Sequence, residues 1–168
     1  MRYVFMLLAF YLLTGMGPNQ KLYEFYSVES NYLRVEQEVI KFYPPNKYNG
    51  CVAYISTATR LIGIDIPFTK VNGESISLVT KPFSDYLVKS LSWIRIEDMN
   101  KLMNGDVIFT LDEPGWPGYP AHVMMFAGWH DELSRVAVII DNQGFKYQRP
   151  LMGNVRYSAF KYFLRAPK

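Results

Sequence analysis

The chain has 168 residues, the length of one domain, and its 49% hydrophobic and 20% charged composition excludes disorder, collagen and coiled coil for most of it. Its net charge of +3, from 18 Lys+Arg against 15 Asp+Glu, is too small and scattered for a nucleic-acid binder and favours an anionic polymer such as a cell wall only weakly. One cysteine and two histidines exclude an internal disulfide scaffold and a multi-cysteine metal site, and argue against a catalytic zinc.

In chain order, residues 1–17 (MRYVFMLLAFYLLTGMG) carry Arg2, an 11-residue uncharged apolar run from 3 to 13, and then small residues. That run suits the core of a signal peptide and falls short of the ~20 residues of a spanning helix. Leu13-Thr14-Gly15 begins like a lipoprotein box, but Met16 stands where the lipidated cysteine must be, so no lasting membrane anchor is expected. This leaves 18–168 as a single domain, secreted or periplasmic. Residues 21–43 place Leu22, Phe25, Tyr26, Leu33, Val39 and Ile40 at loosely helical spacing, predicting one or two helices ended by Pro44-Pro45-Asn46.

Residues 49–63 (NGCVAYISTATRLIG) predict the best-specified helix, with Asn49 as N-cap, Val52, Ile55, Thr59 and Ile62 as the inner stripe, and Gly63 just past the end. Residues 64–80 read as loop with a turn at Val71-Asn72-Gly73, and 82–91 as a helix with Pro82 in its first turn. A short strand at 93–96 and a helical turn ending at Asn104-Gly105 follow. The period then changes to that of strands at 106–111, 122–129, 136–141, 145–149 and 162–166, with a hairpin turn at 130–135. Helices first and an antiparallel sheet second is the α+β pattern.

Cys51 falls in the first turn of the predicted helix, where unpaired N–H groups and the positive dipole end stabilise a thiolate; Gly50 beside it leaves room for a substrate. His122 begins a strand, after the loop DEPGWPGYPA, and would project into a cleft at that end of the sheet. A hairpin turn centred near residue 132 pairs His122 with 141–142, where Asp141, Asn142 and Gln143 follow an apolar strand abruptly. A polar side chain there would fix the tautomer and orientation of the imidazole. Strand alternation allows only one of Asp141 and Asn142 to share its face, and a carboxylate suits an imidazolium better than an amide. His130 reads as solvated.

The order helix-borne Cys, strand-borne His, polar residue on the next strand resembles the NlpC-type papain-like cysteine peptidases, a family of cell-wall amidases and endopeptidases. The similarity runs from about residue 49 to 166. NGCVAYISTATRLIGI resembles the nucleophile helix, LMNGDVIF the Gly-Asp start of a strand, and AHVMMFAGW the histidine strand. The chain departs from the family in its Gly50-Cys51-Val52-Ala53 context, where Asp-Cys-Ser-Gly is usual. It departs also in its long Cys-to-His interval, and in a third member that must be Asp141, Asn142 or Gln143 rather than histidine.

The resemblance implies a papain-like α+β fold, with Cys51 as nucleophile, His122 as base and acid, and Asp141 or Asn142 as orienter. It implies an oxyanion hole from the Cys51 N–H and a side chain just upstream, Tyr43 or Tyr48. Trp116 and Tyr119 would wall the groove. The substrate would be an amide in the peptide part of peptidoglycan, with no metal or cofactor required. The other readings are a secreted non-catalytic binding module on the same fold, and an acyltransferase or lipid-directed thiol hydrolase.

Overall fold

A computed structural model describes residues 17–43 and 50–167. The expected signal segment, apart from Gly17, lies outside the described residues, as do Pro44-Pro45-Asn46, Tyr48 and Asn49.

The two-helix form of the first amphipathic segment is the one adopted: α1 (Pro18–Tyr26) and α2 (Glu29–Val39) are separated where Val28 takes an extended backbone. Pro18 opens α1 at a position where its missing N–H costs nothing. Leu22 and Tyr26 of α1, then Tyr32, Val35 and Val39 of α2, face the core. Leu33 and Ile40, expected in that stripe, are 48% and 53% exposed. A step of one residue turns a helical side chain by about 100°, so the 32/35/39 set turns its neighbours at 33 and 40 to solvent.

Helix α3 (Cys51–Leu61) is buried not on one stripe but all round, from Cys51 to Thr59. It packs between α1–α2 and the sheet, which is why its composition is small and apolar. Its polar side chains bond locally instead of to water: Thr59 Oγ1 donates to the Ile55 carbonyl at 2.7 Å, and Ser56 Oγ to the Ala53 carbonyl at 3.2 Å. Gly63, at φ +89°, ends the helix as expected. Its N–H reaches the Arg60 carbonyl at 2.9 Å and that of Ile64 the Thr59 carbonyl at 3.2 Å, the paired bonds of a Schellman motif.

The 64–80 segment contains a two-stranded hairpin, β1 (Lys70–Val71) with β2 (Glu74–Ser75), around the expected Asn72-Gly73 turn. Helix α4 (Thr80–Lys89) then buries Phe83 and Leu87. The main sheet is wholly antiparallel: β3 (Ile94–Ile96), β4 (Val107–Thr110), β5 (Val123–Asp131), β6 (Val136–Asp141), β7 (Gly144–Pro150) and β8 (Phe160–Arg165), in the order β3-β8-β4-β5-β6-β7. The fold is thus α+β.

The sheet has two buried faces. Val107, Phe109, Val123, Met125, Ile140 and Leu164 point to the helices; Ile108, Met124, Phe126, Ile139 and Phe163 build a second core on the other side. That face is covered by the sheet's own curl. Four strand spacings separate β7 from β8, about 19 Å if flat. Yet the Phe160 N–H at the start of β8 reaches the carbonyl of Leu151, the residue after β7, at 2.7 Å. Register shifts at 126–129 and 129–131 of β5 supply the bend.

The Gly105-Asp106 start of β4 is a clasp on both chain ends. The carboxylate of Asp106, fully buried, accepts from the Met103 N–H at 2.7 Å and from both arms of Arg165 at 2.9 and 2.6 Å. Asn19 donates to the Gly105 carbonyl at 2.8 Å and accepts from the Ala166 N–H at 2.7 Å. Gly105 sits at φ +89°, and a Cβ there would stand 1.9 Å from the Asn19 carbonyl oxygen, so no other residue fits.

Candidate active site

Cys51 is the first residue of α3, and the cap is Gly50, with no side chain bonded to the helix start. The expected cap, Asn49, lies outside the described residues. The first N–H groups of a helix lack intrahelical partners, so this end favours an anion, which Cys51 becomes as a thiolate. The residue is only 5% exposed and meets solvent through a cleft of about 830 Å³.

His122 stands immediately before β5. Its backbone is fixed to β4 from both sides, the Thr110 N–H donating to its carbonyl at 3.1 Å and its own N–H donating to Thr110 Oγ1 at 3.0 Å. The hairpin turn joins Asp131 to Val136, and the two register shifts in β5 slide the pairing to Met125 opposite Ile140. Three residues further back, that register sets Gln143 opposite His122 and Asp141 on the diagonal, on the same face and within reach. The expected pairing with 141–142 is therefore off by about one residue, but Asp141 is still brought to the histidine. His122 Nε2 and Asp141 Oδ2 are 2.6 Å apart. With Nε2 committed, Nδ1 is left for the Cys51 thiol, and Cys51 and His122 line the same cleft.

Burial of the ring opposes its protonation, yet the negative charge available at Cys51 and the bond to Asp141 outweigh it and push His122 from its ordinary 6.5 to about 9. Asp141 is itself fully buried and accepts three bonds: from His122, from the Gln143 N–H to Oδ1 at 2.7 Å, and from the Tyr147 hydroxyl to Oδ2 at 2.6 Å. A carboxylate so held cannot rotate.

Of the three residues that could orient His122, Asp141 is the bonded one. Asn142 and Gln143 line the cleft instead, and Gln143 meets Asp141 through its backbone N–H. Tyr43 is half-buried; burial first and the charge of Cys51 second push its phenol up, so it remains a proton donor. Tyr48 lies outside the described residues. Trp116 and Tyr119 line the cleft, their rings edge-to-face at 6.0 Å, and the Tyr119 hydroxyl donates to Glu74 at 2.9 Å. His130 is exposed.

The structure adds residues that the sequence reading passed over. Tyr147 belongs to the site, and Glu74, Glu113, Arg156 and Tyr157 line the cleft. The alternation Tyr147, Arg149 within β7 is the one signal that could have flagged a polar inward face. No family model, curated protein or solved structure matches the chain.

Proposed function

We propose that the protein is an exported, papain-like cysteine amidohydrolase or endopeptidase of NlpC type, acting on amide bonds in the peptide part of peptidoglycan. The observation that carries this reading is one imidazole bonded to a buried carboxylate and sharing the wall of a cleft with a thiol at a helix start. In this reading His122 takes the Cys51 proton, and the thiolate attacks the amide carbonyl carbon. The oxyanion is met by the Cys51 N–H at the start of α3 and by the Tyr43 phenol. The C–N bond then breaks, and its electron pair takes the proton from the His122 imidazolium. Water, giving a proton to neutral His122, attacks the thioester, and the acid leaves as the thiol is restored.

Asp141 holds the tautomer that makes both transfers possible. The aromatic wall of Trp116 and Tyr119 suits a flat, extended substrate. No step needs a metal or organic cofactor.

Incubating the purified protein with intact peptidoglycan, and the Cys51→Ala variant beside it, tests the proposal. Peptide fragments released by the first and not by the second are expected. Release by both, or by neither, would sink it; turnover of an activated ester without fragments would point to acyl transfer instead.

A further inference from the structure

The segment between β7 and β8 brings two side chains to the cleft in a fixed turn. Asn154 Oδ1 accepts from the N–H groups of Arg156 and Tyr157 at 2.8 and 2.9 Å, and the Asn154 N–H donates to the Tyr157 carbonyl at 2.9 Å. Arg156 and Tyr157 line the same cleft as Cys51 and His122. Apart from His122, Arg156 is the only cationic side chain lining it among the described residues.

The Tyr157 ring meets two cations. The guanidinium of Arg149 lies 4.6 Å from its centroid and that of Arg156 5.1 Å. Arg149 is 2% exposed, and its Nε and Nη1 have no hydrogen-bond partner. Among the described residues neither arginine forms an ion pair. An aromatic face attracts cations but does not neutralise them. This part of the cleft wall therefore carries two positive charges and no paired carboxylate, an arrangement that an incoming anion stabilises.

The carboxylates of the cleft stand on other elements. Glu74 belongs to β2, where it accepts from the Tyr119 hydroxyl at 2.9 Å, and Glu113 to the loop between β4 and β5. An anion is repelled from those residues and drawn to 156–157, so charge gives a bound peptide its direction. A guanidinium offers a carboxylate two N–H donors in one plane, and a primary amide, with one oxygen and donors of its own, cannot match it.

We infer that Arg156, set on Tyr157 with the buried Arg149 against the same ring, is a carboxylate-binding subsite of the cleft. The peptide it selects carries a free carboxylate near the bond to be cleaved, in preference to the amidated form. This rests on the peptide-hydrolase reading given above and narrows its substrate.

The probes are three forms of alanyl-γ-glutamyl-lysyl-alanine. One keeps only the glutamyl carboxylate, one keeps only the C-terminal carboxylate, and one has both as primary amides. Binding to the Cys51→Ala protein, which needs no turnover, is measured by calorimetry. One of the acid forms is expected to bind at least about tenfold more tightly than the diamide, the size of one charge-assisted pair. Adding Arg156→Gln should bring that acid down to the diamide and leave the affinity of the diamide unchanged. Arg156→Lys, which keeps the charge and loses the fork, should retain part of the preference.

Three forms that bind alike, or not at all, would overturn the inference, as would a preference that survives Arg156→Gln. Equal weakening of acid and diamide by Arg156→Gln would make the arginine a structural part of its loop and overturn it too. Hydrolysis is read separately: fragments released by the unsubstituted chain without any carboxylate preference refute the subsite and leave the hydrolase standing. A carboxylate preference without fragments does the reverse.

Discussion

Replacing Asp141 by Asn tests the site with a single atom. The amide must place its NH₂ group where one carboxylate oxygen was. If that group faces the Gln143 N–H, two donors collide at 2.7 Å, and a backbone N–H cannot turn away. It therefore goes to the Oδ2 position, where the Tyr147 hydroxyl can rotate to accept. His122 Nε2, at 2.6 Å from the same position, can accept only by moving its proton to Nδ1. That nitrogen then points a hydrogen at Cys51 and cannot take the thiol proton.

The magnitude has two parts. The rise of His122 from 6.5 to about 9 is worth about 3 kcal/mol in favour of the charged ring. The charge of Cys51 leads the favourable causes and the bond to Asp141 follows, so losing Asp141 weakens that preference without abolishing it. The reversed tautomer adds a further loss, and in serine triads the same exchange costs about 10⁴ in turnover. Iodoacetamide modification of Cys51 at neutral pH should slow at least about tenfold. ¹⁵N NMR should show the proton of His122 on Nδ1. Denaturant stability should fall by only about 1–3 kcal/mol, because the polar contacts are re-formed. Asp141→Asn protein that alkylates at the original rate, with its proton still on Nε2, would refute this account of the site.

Three further outcomes are expected. His122 has its proton affinity raised by folding, so its contribution to stability is fully present below about pH 6.5 and is lost as the pH rises through about 9. Urea unfolding across that window should show a loss of up to about 3 kcal/mol, smaller in Cys51→Ala. Gly105→Ala should destabilise by about 2–4 kcal/mol, against about 1–2 for Gly115→Ala, which has the same backbone sign but open space around it; thermal melts compare the two. If the first segment is an export signal, mass spectrometry of protein from the extracytoplasmic fraction of the native host should find a start between residues 16 and 20, whereas an intact Met1 on cytoplasmic protein would contradict export.

What could be read in advance is what is written locally. The thiol at a helix start, the Gly63 stop, the turn at Asn72-Gly73 and the limits of β6 all follow from a few adjacent residues, and the α+β order from the change of period. What could not be read depends on register. Asp141 meets His122 because β5 is bulged twice, and Tyr147 meets Asp141 because Lys146 takes φ +51° and the β6–β7 pairing slips between Ile139 and Asp141. Periodicity carries no mark of such slips.

The second core was missed for a related reason. An antiparallel sheet commonly shows one face to a helix layer and one to water; here both are buried, and Val107–Thr110, wholly buried, reads as a continuous run with no alternation to interpret. Leu33 and Ile40 misled in the opposite sense, since an apolar residue at the margin of a stripe has no local sign of which side it will take.

The clasp at Asn19 joins residues 147 positions apart. A contact of that span closes the longest loop in the domain, and a chain with many such contacts folds slowly. It also means that the two ends of the folded unit are neighbours. A circular permutant that links residue 167 to residue 17 through a short flexible linker, and opens at the exposed Asn72-Gly73 turn, would keep every strand pairing of the main sheet. In that rearranged chain the slowest closure becomes a local one, and the cut between Cys51 and His122 places His122 and Asp141 ahead of Cys51 in the chain.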